Sequence, residues 1–246
     1  MQNYFKKLYL TYCINSANAS DRGDSIKKKK LKFFFHRTFN KKGTGSLGFD
    51  FTDKPSRDDI VQQIIILKHY KSYLEIGCRD NHLFSEVKCD EKVGVDPVSG
   101  GTIKDYSDNF FKYNKKNFDI VFIDGLHMYH QVRNDIINSL NFLNDKGIIL
   151  LHDCLPNTVY DQAVPRCKMN WNGDVWKAIV EMRTRPDIDT YTCYADQGIG
   201  VIFKRPNKNK LDLNLNDFSK LRFKDYFDNY KNYMNIISYE ELKKLA

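Results

Sequence analysis

Tyr73-Leu74-Glu75-Ile76-Gly77-Cys78-Arg79-Asp80-Asn81-His82-Leu83-Phe84 is an apolar run that stops at a glycine and passes into a helical pattern. A short apolar run bounded by turn residues reads as a buried strand. Lys92-Val93-Gly94-Val95-Asp96-Pro97 follows and ends in an acid. Phe118-Asp119-Ile120-Val121-Phe122-Ile123-Asp124-Gly125-Leu126-His127 and Gly147-Ile148-Ile149-Leu150-Leu151-His152-Asp153-Cys154 repeat the design. Strands that alternate with helical patterns imply an α/β fold with a mostly parallel sheet. In such sheets the ligand lies beyond the carboxyl ends of the strands. The ionisable residues that close these runs therefore outline one site.

Outward from these strands, Pro55 suits the first turn of a helix whose apolar face is Ile60, Ile64, Ile65 and Leu67. A second helix spans 82–88, and a weak strand is expected at 102–105. Ser107-Asp108 starts a helix with Phe110 and Phe111 turned inward. A longer helix over 128–144 carries Val132, Ile136, Ile137, Leu140 and Leu143 at helical spacing, and Asn144-Asp145-Lys146-Gly147 closes it. Residues 154–173 read as a long loop, a usual source of binding walls. A helix from Asp174 to Arg183 follows. Tyr191–Tyr194 and Gly200–Lys204 then form an antiparallel hairpin across Ala195-Asp196-Gln197-Gly198. The aromatic tail over 211–246 is helical in pattern.

The chain of 246 residues, 41% hydrophobic, suits one α/β domain with appendages. No apolar stretch is long enough for a spanning helix, and Lys6 and Lys7 break up the start where a signal peptide would need an apolar run. The six cysteines form no C-x-x-C pair. Scattered thiols in such a chain point to a reducing, cytoplasmic setting. The charge is uneven: residues 1–45 hold 11 Lys and Arg against 2 Asp and Glu, and the remainder 28 against 29. The basic balance thus belongs to an arm, with Lys27 to Lys30 unbroken. This arm is expected either to contact an anionic surface or to be a partly disordered, solubilising extension. The boundaries read as a basic arm over 1–48, a domain over 49–206 and a helical tail over 207–246 packed on that domain.

Asp96 lies 21 residues beyond Glu75. An acid about 20 residues past the first turn can bind a ribose diol, so a nucleoside cofactor is expected. The G-x-G-x-x-G that would cradle a pyrophosphate is missing, since only Gly77 is present. Carboxylates at Glu75 and Asp80 would repel a pyrophosphate and suit a cofactor with positive charge and no phosphate. S-adenosylmethionine has that character.

Here the chain resembles the Rossmann-like S-adenosylmethionine-dependent methyltransferases, nearest to macrocin-type sugar O-methyltransferases and proteins of polysaccharide gene clusters. The likeness spans about 55–205 and includes the four strand ends, Ser107-Asp108-Asn109-Phe110-Phe111, Gly173-Asp174-Val175-Trp176-Lys177 and Asp196-Gln197-Gly198-Ile199-Gly200-Val201. The first loop departs from the family's glycine-rich form. The resemblance implies a three-layer sandwich with a mostly parallel seven-stranded sheet and a C-terminal antiparallel hairpin. It implies that Glu75 and Gly77 line the cofactor's amino-acid end, that Asp96 holds its ribose and that Ser107 and Asp108 lie near its adenine. Asp124, His152 and Asp153 match the metal positions of related metal-dependent enzymes. His152 in place of a carboxylate weakens the case for magnesium and leaves manganese or iron open. His127 matches a general base, with His130 in reserve.

Plainer readings stand beside these. Ser107-Asp108 and His127 serve equally as helix caps, Asp124 and Asp153 as turn caps, and Trp171 and Trp176 as packing residues. The function that follows is methylation of a sugar or other small hydroxylated acceptor. The alternatives are a nucleic-acid-associated methyltransferase or binding module using the basic arm, and a non-catalytic cofactor-binding partner in glycan assembly.

Overall fold

Ser56 ends an extended segment and starts the first helix. Its hydroxyl accepts from the Asp59 amide at 3.2 Å, and the Asp59 carboxylate accepts from the Ser56 amide at 3.2 Å. This reciprocal cap satisfies donors that a helix start leaves free, and α1 (Arg57–Lys68) follows. Pro55 precedes the cap instead of lying in the first turn. The buried face is Ile60, Val61, Ile64 and Ile65. Leu67 was expected on that face and is 44% exposed: at i+7 from Ile60 it keeps to the stripe, but it lies in the last turn, past the buried Ile65.

The computed structural model of the chain describes residues 31, 34, 45–164, 166 and 170–246. The basic arm over 1–48, with its Lys27 to Lys30 run, lies outside the described residues save for Leu31, Phe34 and residues 45–48. The strands are β1 (Ser72–Ile76), β2 (Glu91–Val95), β3 (Phe118–Ile123), β4 (Leu143–Leu151), β5 (Asp189–Cys193), β6 (Ile199–Phe203) and β7 (Ile236–Ile237). They form one sheet in the order β2-β1-β3-β4-β6-β5-β7. Strands β2, β1, β3 and β4 run parallel, and β6 pairs antiparallel with both β4 and β5. The sheet and its antiparallel hairpin are those the sequence implies.

The seventh strand comes from an unexpected place. The stretch 102–105 makes only one bridge, Ile103 to Val95. Gly100 and Gly101, both at positive φ, fold it back onto the edge of β2 too briefly for a ladder. Instead, β7 from the tail pairs parallel with β5. The Asn144–Gly147 segment, expected as a turn, belongs to β4, where a register shift against β3 absorbs the irregularity. The preceding helix α4 (Tyr129–Asn141) therefore stops earlier than its apolar pattern suggests.

Strand side chains alternate between two cores. Leu74, Ile76, Val121, Ile123, Ile149 and Leu151 meet α3 (Ser107–Tyr113), α4, α5 (Trp176–Thr184) and α6 (Phe223–Met234). Tyr73, Ile120, Phe122, Ile148 and Leu150 meet α1, α2 (His82–Glu86) and α7 (Tyr239–Leu245). The result is the three-layer Rossmann-like sandwich. Leu47 already packs on the first core and donates its amide to the Asn157 carbonyl at 3.0 Å. Among the described residues no helix is long and apolar enough to cross a membrane.

Gly77 leaves β1 at φ 92°, and a Cβ there would come within 2.4 Å of the Asp124 carbonyl oxygen. Gly77→Ala combines backbone strain with a clash against main chain, so it should lower unfolding free energy by about 2 kcal/mol or more. Urea denaturation measures this.

Candidate active site

The parallel register of β3 and β4 sets Ile123 opposite Leu151. The next residues of the two strands are Asp124 and His152, so an acid and an imidazole emerge side by side. Asp153 follows at φ 64°, a left-handed turn that aspartate tolerates better than most residues. Its Oδ1 accepts from Asn172 Nδ2 at 2.9 Å. His127 reaches back from the loop before α4. Its Nε2 lies 3.2 Å from Asp124 Oδ1 and its Nδ1 lies 3.1 Å from Asp153 Oδ2. His152 Nδ1 lies 3.4 Å from Asp124 Oδ1 and 3.2 Å from Asp153 Oδ2. The four residues expected to carry the chemistry therefore converge.

Two further residues complete the cluster. Asp196, in the turn between β5 and β6, places Oδ1 3.3 Å from His152 Nε2. Since β6 runs antiparallel to β4, this turn must lie at the carboxyl end of β4. The hairpin reading held that information without extending it to the site. Arg57, the first residue of α1, places Nη1 3.2 Å from Asp124 Oδ2 and 3.2 Å from His152 Nδ1. Its backbone amide donates to Asp196 Oδ2 at 2.7 Å. No local motif marks Arg57, whose role arises from where α1 crosses the strand ends.

Burial and charge oppose each other here. Burial pulls both imidazoles down, but Asp153 and Asp124 outweigh it, holding His127 above and His152 well above the ordinary histidine value. Burial likewise pushes Asp124 up, yet His152 and His127 hold it well below the usual carboxylate range. The upward shift favours the protonated imidazole, and His127 must be without that proton to act as a base. Trp171 stacks on the His127 ring with centroids 5.1 Å apart and planes at 16°, which gives it a place at the site beyond packing. Trp176 is fully buried in the core. His130 is exposed, with its ring against Tyr129 and not in the cluster.

The residues expected to hold a cofactor sit at the neighbouring strand ends. Glu75, 2% exposed at the end of β1, accepts from Tyr73 Oη at 2.5 Å. Burial pushes its carboxyl up to about 7, despite that bond and with Asp124 adding to the rise. A positive charge beside it would restore the ionised form. Asp96, at the end of β2, accepts from the Val98 and Ser99 amides through Oδ1 and from the Arg79 amide through Oδ2, at 2.8–2.9 Å. It has a structural task the sequence did not suggest: it ties its own loop to the loop after β1. Ser107 and Asp108 form a separate patch. Ser107 Oγ donates to the buried Asp135 at 2.6 Å, and Asp108 accepts from Gln131 Nε2 at 3.3 Å. Neither side chain caps α3.

The raised Glu75 value has a consequence for stability. Below about pH 4.5 the group is protonated in both the folded and unfolded chain. Between there and about 7 only the unfolded chain releases the proton, so stability falls as pH rises. Glu75→Gln keeps an acceptor for Tyr73 and removes that fall. The variant should match the parent near pH 4 and exceed it near pH 8 by on the order of 2–3 kcal/mol, read from denaturant midpoints across pH.

Residues 59–154 match the model of a family described as a methyltransferase domain. No curated protein matches the chain. Solved structures similar to it include a methyltransferase from Podospora anserina with S-adenosylhomocysteine bound, at 18% identity and a TM-score of 0.47, covering 79% of this chain and 95% of that one. An O-methyltransferase from Bacillus cereus, also with S-adenosylhomocysteine, has 10% identity and a TM-score of 0.46, covering 79% and 99%. The O-methyltransferase TomG from Streptomyces achromogenes, with S-adenosylmethionine, has 12% identity and a TM-score of 0.45, covering 78% and 94%. The family match covers β1 to β4, the strands whose ends build the cluster, so this part of the Rossmann-like sheet is similar to a methyltransferase domain.

Proposed function

We propose that this chain transfers a methyl group from S-adenosylmethionine to a hydroxyl of a sugar or other small hydroxylated acceptor. The observation that carries the reading is the shared wall between two groups of residues. The Gly77 turn, where the cofactor's amino-acid end would lie, packs directly on the Asp124 backbone, and the Asp124 side chain bonds the histidine cluster. A methyl donor and a proton acceptor held on either side of this wall would lie close to one another.

S-adenosylmethionine, when bound, supplies an electrophilic methyl carbon on a sulfonium sulfur. Glu75 would pair with its ammonium group, and Asp96 would accept from a ribose hydroxyl through the one lone pair, on Oδ2, that the loop amides leave free. Ser107 and Asp108 would border the adenine. Asp124, His152 and Asp153 each bring a donor atom within 4.8 Å of the others. Two carboxylate oxygens and an imidazole nitrogen fit a divalent ion, manganese more readily than magnesium, and an ion held there would polarise the acceptor hydroxyl. His127, oriented by Asp124, Asp153 and the Trp171 ring, would take the hydroxyl proton once its own has left.

The setting follows from smaller observations. Cys78, Cys89, Cys154 and Cys193 are free, which supports a reducing, cytoplasmic compartment. The basic arm would hold the domain near an anionic surface or an acidic partner.

Asp96→Ala should weaken binding of S-adenosylhomocysteine by about 1–3 kcal/mol in calorimetry; unchanged affinity removes Asp96 from the ribose role. His127→Ala should lower turnover roughly 10²–10⁴-fold while cofactor affinity persists. Asp124→Asn and Asp153→Asn should abolish any metal-stimulated turnover. Near-normal rates in both Asp124→Asn and His127→Ala would place the reacting centre elsewhere.

A further inference from the structure

Arg57 points its charge at the atoms that would hold a metal. Nη1 stands 3.2 Å from Asp124 Oδ2 and 3.2 Å and 3.4 Å from the two ring nitrogens of His152. Asp124 and His152 are two of the three residues whose donor atoms converge within 4.8 Å. A guanidinium cannot give up its proton in a protein and offers no lone pair. It can therefore neither share an ion with these residues nor become neutral beside one. We infer that Arg57 is the resident counter-cation of the cluster, and that a divalent ion binds Asp124, His152 and Asp153 only by displacing its side chain. Arg57 thereby sets how tightly, and at what metal concentration, the site is loaded. This rests on the metal reading above and adds to it the residue that controls admission.

The local structure allows the exchange. The side chain is 29% exposed, so it has a route to solvent. The backbone of α1 does not depend on the Arg57 side chain. Ser56 and Asp59 cap the helix, and the Arg57 amide is held by Asp196 Oδ2 at 2.7 Å. Asp196 also bonds His152 Nε2 at 3.3 Å, so it keeps both the helix start and the imidazole in place while the guanidinium leaves. Three carboxylates, Asp124, Asp153 and Asp196, surround the position. At rest Arg57 offsets that charge together with His127 and His152, and a divalent ion would take the place of Arg57 when loaded.

The test titrates MnCl2 alone into the full chain after chelator treatment, by calorimetry and by the loss of the free-Mn2+ electron-spin signal. Arg57→Met keeps the length of the side chain and loses its charge, and should bind Mn2+ about tenfold or more tightly than the parent. Arg57→Lys keeps a cation on the same helix and should bind no more than a few-fold differently from the parent. Circular dichroism melts of both variants establish that α1 is intact. Equal Mn2+ affinity in the parent and Arg57→Met overturns the displacement while leaving the metal site standing. Mn2+ binding by none of the three proteins overturns the metal reading and this inference together. Weaker binding by a folded Arg57→Met would make Arg57 a support of the site and overturns its role as competitor.

Discussion

Negative charge gathered at the carboxyl edge of a sheet is the constraint on which this molecule depends. Parallel strands end with their side chains abreast, and here three of the residues that gather there are aspartates. Carboxylates this close, and this shielded from water, repel one another unless cations stand between them. The chain supplies them from three separated segments: Arg57 from the first helix, His127 from the loop before α4, and His152 from β4 itself. The helix before the sheet and the hairpin after it are thus held to one point by electrostatics as well as by apolar packing. Asp196 shows the economy of this arrangement, since one carboxylate fixes a helix amide and an imidazole at once.

The same edge separates two kinds of acid. Asp124 is surrounded by cations and remains ionised. Glu75, one strand away, has a tyrosine hydroxyl for a partner and is pushed towards neutrality. Neighbouring carboxyls with opposite tendencies can be given different tasks: one can carry fixed charge, and the other can answer to the charge of whatever binds beside it. Pairing of this kind favours a cationic ligand at β1 and an acid–base centre at β3 and β4.

Much of this was legible before any coordinates. The apolar runs ending in Gly77, Asp96, Asp124 and Asp153 declare strands and a ligand edge, and the parallel rule brings Asp124 beside His152 although 28 residues separate them. What could not be read depended on geometry without a local signature. Arg57 is an ordinary basic residue after a helix cap until the crossing of α1 over the strand ends is known. The tail strand β7 has two apolar residues between helices, too few for an alternation to show. Asp96 was expected to be free for a ligand because an acid closing a strand has few evident partners. Its three backbone donors come from a turn whose path the sequence does not disclose.

Gly173 has φ 63°, and a Cβ there would fall 1.8 Å from the His127 carbonyl oxygen. The amide of Asp174 donates to that same oxygen at 3.2 Å, and the Asp174 carboxylate accepts from the Tyr129 amide at 2.6 Å. The end of the long loop and the start of α4 are therefore one mechanical joint. For anyone grafting loops onto this architecture, Trp171 to Asp174 must travel with the helix start. A transplant that takes the loop without Gly173 and Asp174, or the helix start without the joint, would leave His127 unaimed.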